Sequence, residues 1–186
     1  MENLFRDLKA DEIDVRLATV KENGVSLLLY KDARVDQNIL DETYGVFGWQ
    51  RDHKELKGNI YCGISIFDKE KGQWVTKWDC GKESFSEAEK GEASDSFKRA
   101  GFNWGIGREL YTSPFIWISN EYCNIKDSGK KDAKGNKIFT CNDKFIVEAI
   151  EIKDKVITGL AIRNLNFKNE KGNPTRVFVY KKQEEK

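Results

Sequence analysis

The stretch GEASDSFKRAGFNWGIGREL, residues 91–110, decides how the chain is read. Ala93, Phe97, Ala100 and Trp104 recur at three- and four-residue steps, which puts them on one face of an amphipathic helix. Gly101 lies beside them, and small residues at 100 and 101 let the backbone approach a sheet closely. Lys98 flanks the apolar stripe, and Arg99 lies on the polar side. Gly105 and Gly107 terminate the helix and turn the chain. Upstream, Ser86-Glu87-Ala88-Glu89 is a capping box, its serine satisfying free amides while Glu89 reaches back. Two adjacent cations on such a helix make a basic edge suited to phosphates. The spacing of Asp95 and Arg99 equally allows a helix-surface ion pair, worth about 0.3–0.5 kcal/mol.

Working outward, Leu4, Phe5 and Leu8 have helical spacing and predict a short opening helix. Val25 to Tyr30 reads as a strand with little alternation. Val35, Ile39, Leu40 and Tyr44 predict a second helix stopped by Gly45. Val46 to Glu55, Asn59 to Phe67 and Gln73 to Asp79 have strand character, with a polar Asp68–Gly72 loop between the last two. Together these three runs predict an antiparallel meander. Further strands are read at Phe115–Ile118, Phe145–Val147, Val156–Ile162 and Val177–Tyr180. KDSGKKDAKGNK, residues 126–137, reads as a long polar, mobile loop with five lysines and two glycines, and 181–186 as a frayed tail. The fold class is α+β, in a single domain spanning 1–186.

Charged residues make up 34% of the 186, hydrophobic ones 39% and aromatic ones 12%, the balance of a folded chain able to bury a core. No apolar run approaches the roughly 20 residues that a membrane span needs. The opening Met1-Glu2-Asn3-Leu4-Phe5-Arg6 lacks the order of a signal peptide, so the expected location is the cytoplasm. Cys62 and Cys80, and likewise Cys123 and Cys141, are 18 positions apart, a spacing that suits the two ends of a hairpin. Reduced, partly buried thiols are the expectation, because zinc-type Cys-x-x-Cys spacing is missing. His53 is the only histidine, which excludes multi-His metal centres.

Net charge is +1, yet residues 1–93 hold 14 Lys+Arg against 19 Asp+Glu, and residues 94–186 hold 18 against 12. A local basic path on a nearly neutral body is compatible with that split. The sequence contains no Gly-x-x-x-x-Gly-Lys-[Ser/Thr] loop, and Gly105-Ile106-Gly107 follows a helix instead of opening one, unlike a dinucleotide fingerprint. No catalytic residue and no cofactor is therefore assigned. Chance pairs among the many carboxylates leave a metal-dependent nuclease as an alternative.

Residues 91–110 resemble the helix of the Rad52-like single-strand annealing superfamily, and most closely its phage Sak-type and bacterial DdrA-like members. YKDARVDQNILDETYGVFGW (30–49) is similar to that family's strand end, arginine, helix and Gly-Trp. NIYCGISIFDKEKGQWVTKWDCG (59–81) is similar to its hairpin and closing glycine. The resemblance covers about residues 1–112, leaving 113–186 as additional strands and the polar loop. It implies a β-β-β-α core, an antiparallel sheet packed on a long helix. It also implies self-assembly into a ring or helix of copies, with single-stranded DNA held by its backbone in a basic groove. By position it carries DNA-binding roles onto Arg34, Lys98 and Arg99. Phe102 stands where eukaryotic members have a further arginine, with Arg108 a candidate substitute. Lys57 and Lys82 lie near positions similar to the family's outer DNA site.

The expected activity is annealing of complementary single strands, without ATP, in recombination and double-strand break repair, in a phage or bacterium. A host single-strand binding protein is a candidate partner. Besides the nuclease, a single-strand protector that does not pair strands is an alternative. The tryptophans at 49, 74, 78, 104 and 117 are expected in the core rather than as stacking platforms.

Overall fold

The computed structural model describes residues 5–81 and 88–183. In chain order the described elements are β1 (Asp14–Lys21), β2 (Gly24–Tyr30), α1 (Ala33–Tyr44), β3 (Trp49–Leu56), β4 (Asn59–Asp68) and β5 (Gln73–Cys80). They continue as α2 (Ala88–Trp104), β6 (Ile116–Ser119), β7 (Ile125–Lys131), β8 (Lys137–Cys141), β9 (Phe145–Lys153), β10 (Val156–Lys168) and β11 (Pro174–Lys181). The architecture is α+β with antiparallel sheets. The chain divides into two compact units, Met1–Asp7 with Lys31–Arg108, and Leu8–Tyr30 with Glu109–Lys186.

In the first unit β3, β4 and β5 form the meander, paired from Trp49↔Ile66 to Leu56↔Asn59 and from Tyr61↔Cys80 to Asp68↔Gln73. Alternation gives the sheet two faces. Cys62, Ile64 and Ile66 are buried toward α2, together with Phe97 and Ala100. The helix has 17 residues, an ordinary length rather than a long one. It is tied to the sheet by polar contacts: Trp104 Nε1 donates to Ile64 O at 2.9 Å, and Ile60 N donates to the buried Glu92 carboxylate at 2.6 Å. Across the opposite face Gly63 makes room for the Trp78 ring; a β-carbon there would sit 2.6 Å from the indole.

In the second unit the six-stranded sheet has the order β11-β10-β9-β1-β2-β6, and β7 pairs with β8. Val25, Leu27, Ile116, Ile118, Leu160 and Ile162 fill the inner face. β10 runs 13 residues, continuing six beyond the expected end at Ile162.

Several expectations change. The opening helix of Leu4, Phe5 and Leu8 is absent over residues 5–9, and Leu4 lies outside the described residues; a 3-10 turn, Ala10–Glu12, follows instead. Phe5 and Leu8 are nonetheless buried, so their apolarity reports packing rather than helicity. β1 was not expected at all, because Asp14, Arg16 and Lys21 face outward and only half of it is covered. Residues 126–137 are largely a hairpin, not a loop. Asp132 closes it by accepting from Lys134 N and Asn136 N, while Ser128 Oγ donates across to Ile138 O. Strands exposed on both faces carry no hydrophobic alternation, which hides them from periodicity. The hairpin reading holds for Cys62 and Cys80, which lie side by side at the open end of β4–β5, whereas Cys141 ends β8 and Cys123 lies two residues before β7. All four thiols are free. Ser86 and Glu87 of the capping box lie outside the described residues.

Candidate nucleic-acid interface

Asp32 is the N-cap of α1, accepting from Arg34 N at 2.9 Å. The same carboxylate receives Arg34 Nε at 2.7 Å, and the bond from Arg34 is the largest cause of its lowered pKa. The charge of Lys98, from α2, adds a smaller lowering of the Asp32 pKa. Arg34 and Lys98 thus both act on Asp32, Arg34 through hydrogen bonds and Lys98 through the smaller effect of its charge. Arg34 is 82% exposed there, held by its base yet open to a ligand. A cation seated on a cap residue loses little freedom when it takes up a phosphate, since α1 already fixes its position.

Arg99 points elsewhere. Successive helix residues differ by roughly 100° around the axis, and Arg99 Nε meets Asp79 on β5 at 3.2 Å. Asn103 Nδ2 joins the same carboxylate and also reaches Trp78 O. This cluster fastens α2 to the edge of the sheet, with Arg99 still 38% exposed. Arg108 wraps the end of α2, donating to Phe102 O at 2.6 Å and Asn103 O at 3.0 Å. It satisfies carbonyls that a helix end leaves without partners. Lys57 occupies the two-residue β3–β4 turn with φ of 55°, next to Gly58 at 73°, so it stands exposed at the hairpin tip. Lys82 lies outside the described residues.

Beneath this surface is a feature that sequence reading missed. Lys31 and Asp36 form a buried ion pair, their side chains 1% and 0% exposed, with Nζ bonded to both carboxylate oxygens. The Phe102 ring lies 4.4 Å from that ammonium. A β-carbon on Gly101 would meet Asp36 Oδ1 at 2.4 Å, and one on Gly107 would meet Lys31 Cε at 2.4 Å. Two glycines and a phenylalanine of residues 91–110 are thus shaped around a charge pair introduced by residues 31 and 36. Three more cations sit on aromatic faces: Arg51 on Phe97, Lys54 on Trp78 and Lys77 on Trp104. Trp49, Trp78, Trp104 and Trp117 are half-buried, and Trp74 is 44% exposed beside Phe67.

The sequence model described as Rad52/22 family double-strand break repair protein matches residues 1–128, more than two thirds of the chain. The chain belongs to the Rad52/22 family. Membership assigns it to double-strand break repair and recombination. No curated protein matches the chain. The matched span takes in all of the first unit and ends inside β7, so every residue of β8 to β11 lies beyond it. Among the described residues no helix is long and apolar enough to cross a membrane, and no three His, Cys, Asp or Glu side chains gather as a metal-binding group.

Proposed function

We propose that the protein anneals complementary single strands of DNA during recombinational repair of double-strand breaks, without nucleotide hydrolysis. The observation that carries this reading is the Rad52/22 match over residues 1–128, within which Arg34 stands 82% exposed on the capped first turn of α1. Annealing needs the strand held by its phosphates with base edges left free, and cations on rigid elements do this without reading sequence. Arg99, 38% exposed, adds its charge, while its bond to Asp79 ties the helix to the sheet. Lys57 and Lys82 belong to an outer contact, and Arg108 adds charge at the end of α2 in place of an arginine at Phe102.

The first unit carries the annealing core, and the protein works as an oligomer, a ring or helix of copies. One subunit presents too few cations for tight binding, whereas repetition makes a continuous path with a steep salt dependence. The β-β-β-α order of β3, β4, β5 and α2 supports this assignment. The host single-strand binding protein is the natural source of the coated strand, and the bacterial cytoplasm the setting.

The test is an annealing assay with labelled complementary oligonucleotides, lacking ATP and containing EDTA. Faster duplex formation than in protein-free controls is the expected result. Binding without acceleration would leave a single-strand protector. Strand cleavage on adding Mg²⁺, with no annealing in EDTA, would make the protein a nuclease.

A further inference from the structure

The basic excess of this protein lies outside its family-matched segment. Residues 1–128 hold 18 Lys+Arg against 23 Asp+Glu, whereas residues 129–186 hold 14 against 8. The segment that carries the family signature is acidic overall, and the strands beyond it are basic.

Part of that charge is organised. On β10, Gly159, Ala161 and Arg163 share the outward face by alternation, and they pair with Lys181, Val179 and Arg176 of β11. The extra residue at Glu148 in β9, between the pairs Val147↔Ile162 and Ala149↔Ala161, is a bulge. Bulges re-aim side chains, and Glu148 here meets both arginines. Arg176 grips it with Nε at 2.6 Å and Nη2 at 2.7 Å, and Arg163 Nη2 reaches it at 2.5 Å. One carboxylate, 17% exposed, thus holds Arg176 through two N–H groups and Arg163 through one, and the two side chains remain 53% and 39% exposed; Arg163 Nε is buried without a partner. Among the described residues nothing engages the Nη1 group of either arginine. Beside them Val179 is 67% exposed, whereas Ala161 is buried and the Glu151 side chain lies over Gly159.

We propose that the outward face of β9, β10 and β11 is a further single-strand contact, in which Arg163 and Arg176 take up the phosphodiester backbone. Charge complementarity chooses the occupant: two oriented forks with free N–H donors suit phosphate oxygens, on a segment of net positive charge. Glu148 orients the forks and cancels one of the two charges, so it sets the strength of the contact. The proposal rests on the single-strand reading above and adds residues that reading does not use.

The probe is fluorescein-labelled oligo-dT, titrated against the full chain at several salt concentrations. Arg163→Gln with Arg176→Gln should flatten the plot of log affinity against log salt by roughly one unit of slope. Adding Glu148→Gln to that pair leaves no unpaired carboxylate and should show the same loss, which covers the case where the double variant fails to fold. Glu148→Gln alone releases both arginines and should raise low-salt affinity roughly threefold, an outcome that a purely structural role would not produce. Unchanged slopes with a binding wild type overturn this proposal alone. A wild type with no salt-dependent binding overturns the single-strand reading and this proposal with it. Unchanged binding but a smaller particle in light scattering would make the face a contact between copies, and the proposal would fail.

Discussion

Burying Lys31 beside Asp36 constrains three other residues. Gly101 and Gly107 have no space for a β-carbon, and Phe102 covers the ammonium that those glycines leave room for. Removing one ion strands the other in a dry site, which costs roughly 3–5 kcal/mol. Asp36→Ala should therefore lower stability by about that much in urea titration, and Lys31→Met with Asp36→Leu should recover most of it. A double variant no more stable than Asp36→Ala would show that the pair does more than compensate its own burial. Burial pushes the Asp36 carboxyl up to about 6, against the charge of Lys31. The folded state then holds that proton more tightly than the unfolded chain, so this group favours folding below about pH 4 and its contribution is lost as pH rises toward 6. Stability of the wild type relative to the apolar double variant should fall across that window. Glu148 behaves oppositely: bonds from Arg176 and Arg163 hold it at about 2. Its contribution is present above about pH 4.5 and lost as pH falls toward 2, a loss that Glu148→Gln should abolish.

At the scale of elements, the end of α2 separates fold from function. Gly107 has φ of 71° and its β-carbon would strike Lys31, whereas Gly105, at 103°, has open space around it. Gly107→Ala should cost clearly more than Gly105→Ala, by about 1 kcal/mol or more beyond the shared left-handed penalty. Equal losses would remove the Lys31 contact from the account. Arg108→Ala releases two carbonyls at the helix end and should lower stability by about 1 kcal/mol; its DNA effect must be read after that loss is subtracted. Lys98→Ala and Arg99→Ala should diverge as well. The first should weaken single-strand binding with an unchanged melting temperature, and the second should also loosen α2 by up to about 1 kcal/mol through Asp79.

Helix and meander positions were legible because their apolar residues keep a strict period: Val35, Ile39 and Leu40 on α1, Cys62, Ile64 and Ile66 on β4. The hairpin of β7 and β8 was not, since its lysines face water on both sides. Arg34, its partner Asp32 two residues away, and Lys98 could be named from sequence, but not the turning of Arg99 toward Asp79. Nothing in a linear pattern announces a buried Lys–Asp pair, because its partners, Gly101, Phe102 and Gly107, arrive some 65 residues or more later in the chain.

For the whole molecule the decisive facts are distributional. A chain of net charge +1 can hold a polyanion only by grouping its cations and repeating them. The sheet of the first unit leaves β3 and β5 as edges, and assembly of copies would cover them. Light scattering should show an oligomer, either free or on long single-stranded DNA; a monomer in both conditions would count against a groove built from repeated subunits. The most direct measurement is the rate of duplex formation from complementary oligonucleotides, without ATP and in EDTA, for the wild type and for Arg34→Ala with Lys98→Ala. The account predicts acceleration by the wild type and its loss in a variant that remains folded. Wild-type annealing by the folded double variant, or no acceleration by either protein, would contradict it.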